Sequence, residues 1–270
     1  MESIQNQPSF KIEGYGPLKD QVGDLYLPGK AHPAVVCLFH GGFWQMPYGR
    51  EEMAAVAQDF CNRGFAVWNI EYRRVGSTGG GWPGTCEDAV TAIEHLANMA
   101  AAGTDLNLER VAVVGHSAGG YLALWSAAQL RHRNPTSANR IQIKAVVGEA
   151  AVTDLKLAYD MGIGAEAVAE FMGATPDKDP GLYHAASLRT SLPIGVPQLL
   201  IHGTADGVVP VATARAYTSA AIAAGDQAEL LEVYGAGHME FLDPSSVLHT
   251  GVCDWIGLTL GETKPHVHAD

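Results

Sequence analysis

Three residues set far apart in this chain have the side chains needed for acyl transfer: Ser117, Asp206 and His238. Ser117 stands in Gly115-His116-Ser117-Ala118-Gly119-Gly120, after the apolar run Val111-Ala-Val-Val114 and before a helical pattern. A strand that turns at once into a helix strains its corner residue, and the neighbours must be small. The hydroxyl then projects above the sheet at the positive end of the helix. A serine hydroxyl is a weak nucleophile until a base takes its proton, and a histidine base needs a carboxylate to orient it. Asp206 follows the run Gln198-Leu-Leu-Ile-His-Gly203, and His238 follows Leu230-Leu-Glu-Val-Tyr-Gly235. Each is therefore expected just past the carboxyl end of a strand, where open α/β sheets place their sites. Asp-Gly is also a common turn pair, and Asp243 is a rival carboxylate close after His238. Chain order and strand context favour Asp206. His116 reads as a supporting residue and His202 as a satisfied core histidine.

The tetrahedral intermediate of such chemistry carries an oxyanion that needs aimed donors. The segment His40-Gly41-Gly42-Phe43-Trp44 follows the run Ala34–Phe39 and supplies a glycine turn. Its N–H groups at Gly42 and Phe43, with that of Ala118, are the expected oxyanion donors. Phe43, Trp44 and Trp82 are expected to form an aromatic wall for the substrate; the plainer alternative is that these rings only brace their turns. Gly79-Gly-Gly-Trp-Pro-Gly84 matches a dinucleotide-binding pattern literally. It starts well after the preceding strand, and Pro83 lacks an N–H, so nucleotide binding is set aside.

The elements that must hold these residues alternate. Strands are expected at Gln21 to Leu27, Ala34 to Phe39, Ala66 to Tyr72, Arg110 to Gly115, Ile143 to Val147, Gln198 to Ile201 and Leu230 to Val233. Helices are expected at Glu51 to Asn62, Cys86 to Ala102, Ala118 to Arg131, Val211 to Ala224 and Ser246 to Leu258. Apolar, β-branched runs separated by helical patterns indicate a largely parallel sheet with crossover helices. One domain over residues 1–270 is expected. The irregular stretch from about 151 to 196 reads as a short cap over the site, since long insertions in compact domains are usually functional or mobile.

Composition narrows the partners. The formal charge of −12 argues against a nucleic-acid or anionic-membrane surface. Four cysteines, Cys37, Cys61, Cys86 and Cys253, show no metal-ligand or redox spacing. No metal or cofactor is expected, and His266 and His268 read as part of a disordered tail. The start of the chain has no basic and apolar leader pattern, and no run approaches a membrane span. The expectation is a soluble, cytoplasmic protein acting on a small molecule, with a homodimer left open.

His40-Gly-Gly-Phe-Trp-Gln45 together with Gly-His-Ser-Ala-Gly resembles the α/β-hydrolase esterases, particularly the kynurenine formamidase (arylformamidase)-like branch and its feruloyl-esterase-like neighbours. The likeness runs from about Asp24 to Trp255. Glu71-Tyr-Arg-Arg74 and Pro197-Gln-Leu-Leu-Ile-His-Gly-Thr-Ala-Asp206 also look like hydrolases grouped near prolyl-oligopeptidase-type domains. The resemblance implies an eight-stranded, mostly parallel sheet flanked by helices and a serine hydrolase of small esters or aryl amides and formamides. The alternatives are a small peptidase or amidase, and a non-catalytic receptor on the same fold.

Overall fold

The computed structural model describes residues 9–131 and 141–262. Strands β1 (Ser9–Gly14), β2 (Val22–Leu27), β3 (Ala34–Phe39), β4 (Ala66–Ile70), β5 (Asn107–His116), β6 (Ile143–Glu149), β7 (Gln198–Gly203) and β8 (Ala228–Val233) form one sheet. Its order is β1-β2-β4-β3-β5-β6-β7-β8. β2 runs antiparallel to β1 and β4, and the remaining pairs are parallel. Every residue of β3 and β4 is buried, as parallel strands covered by helices on both faces must be.

The period of two along the strands sorts side chains between two cores. Val35, Cys37 and Phe39 join one, with α2 (Gly84–Ala101), α3 (Ala118–Arg131) and α7 (Val211–Ala223). Ala34, Val36 and Leu38 join the other, with α1 (Ala54–Asn62) and α8 (Val247–Thr259). Between β6 and β7 lie three short helices, α4 (Leu155–Asp160), α5 (Ala165–Met172) and α6 (Pro180–Ala185). Asp154 and Asp179 cap α4 and α6 by accepting from Leu157 N and Leu182 N, each at 2.9 Å.

β1 is a strand that the sequence reading did not place. Its alternation of Phe10 and Ile12 with Lys11 and Glu13 was present, but the strand lies on the sheet edge and is mostly exposed, so no continuous apolar run marked it. The predicted helix from Glu51 begins as a 3-10 turn, Arg50–Met53, before α1. His266 and His268 lie outside the described residues. All four cysteines are free and buried. Among the described residues, no helix is long and apolar enough to cross a membrane.

Candidate active site

β5 ends at His116 and α3 begins at Ala118, leaving Ser117 alone at the corner with φ of +55°. That left-handed conformation is strained for a residue with a side chain and persists only where its surroundings over-determine it. Here the main chain holds it: Ser117 N donates to Glu149 O at 2.8 Å, and Ser117 O accepts from Gly120 N at 3.0 Å and Val152 N at 3.1 Å. The small neighbours are steric necessities. A Cβ on Gly115 would sit 2.0 Å from Gly119 O, and one on Gly119 would sit 2.2 Å from Phe39 O.

The three dispersed residues meet. His238 Nε2 lies 3.0 Å from Ser117 Oγ, and His238 Nδ1 lies 2.8 Å from Asp206 Oδ2. The two ring nitrogens thus face the hydroxyl and the carboxylate separately, which is the arrangement that lets one imidazole take a proton while the other side is held. Asp206 Oδ1 accepts from Val208 N and Val209 N, both at 2.8 Å. Burial pushes the Asp206 carboxyl up, but hydrogen bonds from His202, His238 and those two N–H groups outweigh it and hold the acid well below the usual range. Asp243 takes no part, because its carboxylate accepts from Ser245.

Two further histidines support the first. His202 Nε2 points at Val209 O at 2.7 Å and lies 3.2 Å from Asp206 Oδ2, so it is a second partner of that carboxylate. The sequence reading treated it only as a core residue. Its spacing of four from Asp206, across the turn after β7, was the available signal. His116 Nε2 donates to His238 O at 2.8 Å and anchors the loop carrying His238. Burial, reinforced by the neighbouring His238, lowers His116 to about 4, so it makes this bond as a neutral ring.

The loop after β3 presses on the serine: a Cβ on Gly41 would lie 3.2 Å from Ser117 Cβ. Gly42, Phe43 and Trp44 follow with φ of +93°, +52° and +57°. Two of these three carry aromatic side chains, and each such residue costs of order 1 kcal/mol or more in this region. Among the described residues, the N–H groups of Gly42, Phe43 and Ala118 have no hydrogen-bond acceptor. Unpaired donors on the loop beside Ser117 and at the N-terminus of α3 can stabilise a negative oxygen.

Side chains beneath the loop hold it. His40 is buried, stacks on Tyr72 at 4.3 Å between centroids, and places its ring nitrogens 2.8 Å from Gly41 O and 2.9 Å from Glu71 Oε1. Tyr72 donates to His40 O at 2.9 Å. Burial pushes Glu71 up, yet its bond to His40, the charges of His40 and Arg74 and the N–H of Tyr72 leave it below the ordinary glutamate range. Trp44, expected to wall the pocket, is 0% exposed. Its indole N–H donates to Ala118 O at 3.1 Å and its ring stacks on Phe171. The ring therefore braces the loop, because no face of it is open to a ligand. Trp82 is half-buried and packs edge-on against Trp125 at 4.9 Å.

A family model described as BD-FAE matches residues 24–220. An isoprenylcysteine alpha-carbonyl methylesterase of Arabidopsis thaliana is 29% identical over 242 residues, covering 80% of this chain and 53% of that protein. The chain thus spans about half the length of this curated relative. A truncated carbohydrate esterase from gut microbiota superposes with a TM-score of 0.77 at 20% identity, covering 96% of this chain and 99% of the other. An esterase of Thermogutta terrifontis with propionate bound gives a TM-score of 0.72 at 22% identity, covering 95% and 96% of the two chains. Those two likenesses speak for the fold, and the family model spans most of the sheet together with the elbow at Ser117. The chain belongs to the BD-FAE family and has the α/β-hydrolase fold.

Proposed function

We propose that this chain is a serine hydrolase of small carboxylic esters. The observation that carries the reading is the continuous path Ser117 Oγ, His238 Nε2, His238 Nδ1, Asp206 Oδ2, closed at 3.0 and 2.8 Å. In this reading His238 takes the Ser117 proton as Oγ attacks the carbonyl carbon. The oxyanion forms against the N–H groups of Gly42, Phe43 and Ala118. Asp206 holds the Nδ1–H tautomer and stabilises the imidazolium. The protonated His238 then gives its proton to the leaving alkoxide, and water releases the acyl group by the same path in reverse. The segment from about 151 to 196 serves as the cap, and the substrate is a small molecule.

The names of the similar proteins support an ester ahead of an amide or formamide. The arylformamidase-like reading rests on the His-Gly-Gly-x-Trp motif, and rate comparison separates the two. Purified protein is assayed on p-nitrophenyl esters of increasing acyl length, N-formyl-kynurenine and an aminoacyl p-nitroanilide. Multiple turnovers of short esters with slow amide cleavage are expected. A formamide rate above every ester rate would move the chain to the arylformamidase-like reading. A single slow turnover on all of them would instead make it a binding protein.

A further inference from the structure

The oxyanion loop has a feature that the proposed chemistry leaves open. It holds three successive left-handed residues, Gly42, Phe43 and Trp44, and two of them are not glycine. Strained backbone of this kind relaxes unless packing fixes it, and a hole whose donors drift loses its preorganisation. His40, Glu71 and Tyr72 fix the near end of the loop at Gly41. The far end, at Phe43 to Gln45, is held from elsewhere.

Its main chain is pinned by Val75, whose N–H donates to Trp44 O at 2.8 Å, and its side chains are held chiefly by α5, in the insertion between β6 and β7. The Phe171 ring stacks on Trp44 with centroids 4.2 Å apart and an interplanar angle of 20°. Gln45 Nε2 donates to the Glu170 carboxylate. The Phe43 ring occupies the space above Gly164, where a Cβ would come 2.4 Å from its edge. Each of the three loop residues Phe43, Trp44 and Gln45 therefore meets a different residue at or within α5. The stack passes directly to the nucleophile side, since Trp44 donates to Ala118 O, the carbonyl of the residue whose N–H is the third oxyanion donor. Phe171 is itself fixed, because its carbonyl accepts from Trp82 N at 2.7 Å.

Resting on the hydrolase reading above, we infer that α5 is a positioning element of the oxyanion hole, with Phe171 acting through Trp44. The insertion then does more than cover substrate. It sets the geometry of the donors, and its effect falls on the transition state. A wall for substrate would change KM, whereas a brace for the oxyanion loop changes kcat, because the oxyanion exists only beyond the ground state.

The test is Phe171→Ala on the full chain, assayed with a short p-nitrophenyl ester and with a trifluoromethyl ketone that mimics the tetrahedral intermediate. The expected result is a kcat about 10- to 100-fold lower with KM changed less than about threefold, in line with loss of part of an oxyanion hole. Ketone affinity should fall in parallel. Phe171→Tyr, which keeps the flat ring, should restore most of kcat. Phe171→Leu fills the space without a stacking face, and carries the same prediction if the alanine variant does not fold. A raised KM with unchanged kcat, or unchanged kinetics throughout, would overturn the inference while leaving the hydrolase reading in place. A wild-type protein that does not turn over the ester would overturn both.

Discussion

The site around Ser117 and a buried cluster around Cys253 contain the same kinds of group and use their histidines differently. At the first, His238 offers Nε2 to Ser117 Oγ and Nδ1 to Asp206. At the second, a single nitrogen, His249 Nε2, lies 2.9 Å from Asp59 Oδ2 and 3.3 Å from Cys253 Sγ. His249 Nδ1 is buried without a partner. An imidazole used on one nitrogen cannot pass a proton across its ring, so the second cluster lacks the two-sided arrangement of the first. Its surroundings also differ. Asp59 is held by Arg63 at 2.6 Å, and burial pushes the Cys253 thiol far up, so the nucleophilic thiolate is scarce. The cluster ties α1 to α8, and its three residues lie within those helices. If the proposed hydrolase reading holds, nucleophile, histidine and carboxylate in proximity are not enough; the two nitrogens must face opposite partners beside a set of unpaired N–H donors.

The largest break in this comparison is at the first site. Ser117→Ala should lower ester turnover by about 10⁴-fold or more, with thermal unfolding unchanged, since the hydroxyl is the only group removed. Turnover near the wild-type rate would end the assignment. Asp206→Asn should lower kcat by roughly 10³–10⁴-fold, because the amide cannot favour the Nδ1–H tautomer of His238. His202 sharpens this prediction. It also faces Asp206, so its removal should cost less than loss of Asp206 itself, read as the smaller fall in kcat of the two variants.

The parts of this site legible in the chain were those that sit at strand ends next to local motifs. Ser117, Asp206 and His238 each follow an apolar run directly, and the turn residues beside them announce the corner. Seven strands of the sheet were readable from alternating elements; edge strand β1 was not, and the count of eight came with the family resemblance. What could not be read were partners fixed by distant packing. Trp44 lies on the loop where an aromatic wall was expected, and only contacts with Tyr121 and Phe171, each more than seventy residues away, show that it is buried. The bond from His40 to Glu71 and the second partner of Asp206 are of the same kind. Periodicity locates a side chain on a face, and tertiary contacts decide what meets it there.

Glu149 lies between the two regions. Its carbonyl accepts from Ser117 N, while its carboxyl is buried with Oε2 unpartnered, and its charge is felt at Cys253. Burial pushes that carboxyl up to about 8. The unfolded acid releases its proton near about pH 4.3, so the folded chain binds more protons across the interval between. Stability should therefore fall as pH rises from about 4.5 to about 8. Glu149→Gln should flatten that slope and raise stability at pH 8 by roughly 2–4 kcal/mol. An unchanged slope in urea unfolding at several pH values would show that the carboxyl is solvated in the folded chain.

The smallest effect expected is at Cys253, and it tests the comparison from the other side. If one-sided use of His249 disqualifies that cluster, its thiol contributes packing alone. Cys253→Ala should then leave kcat/KM within about twofold and lower stability by about 1 kcal/mol, the cost of a small buried void. Iodoacetamide should leave Cys253 of the native chain unlabelled and react with it after unfolding, read by mass spectrometry of the peptide spanning α8. Rapid labelling of the folded protein would mean that the thiolate forms despite burial and that Asp59 and His249 activate it. The distinction between relay and non-relay histidines would then fail as a guide to which of the two arrangements does chemistry.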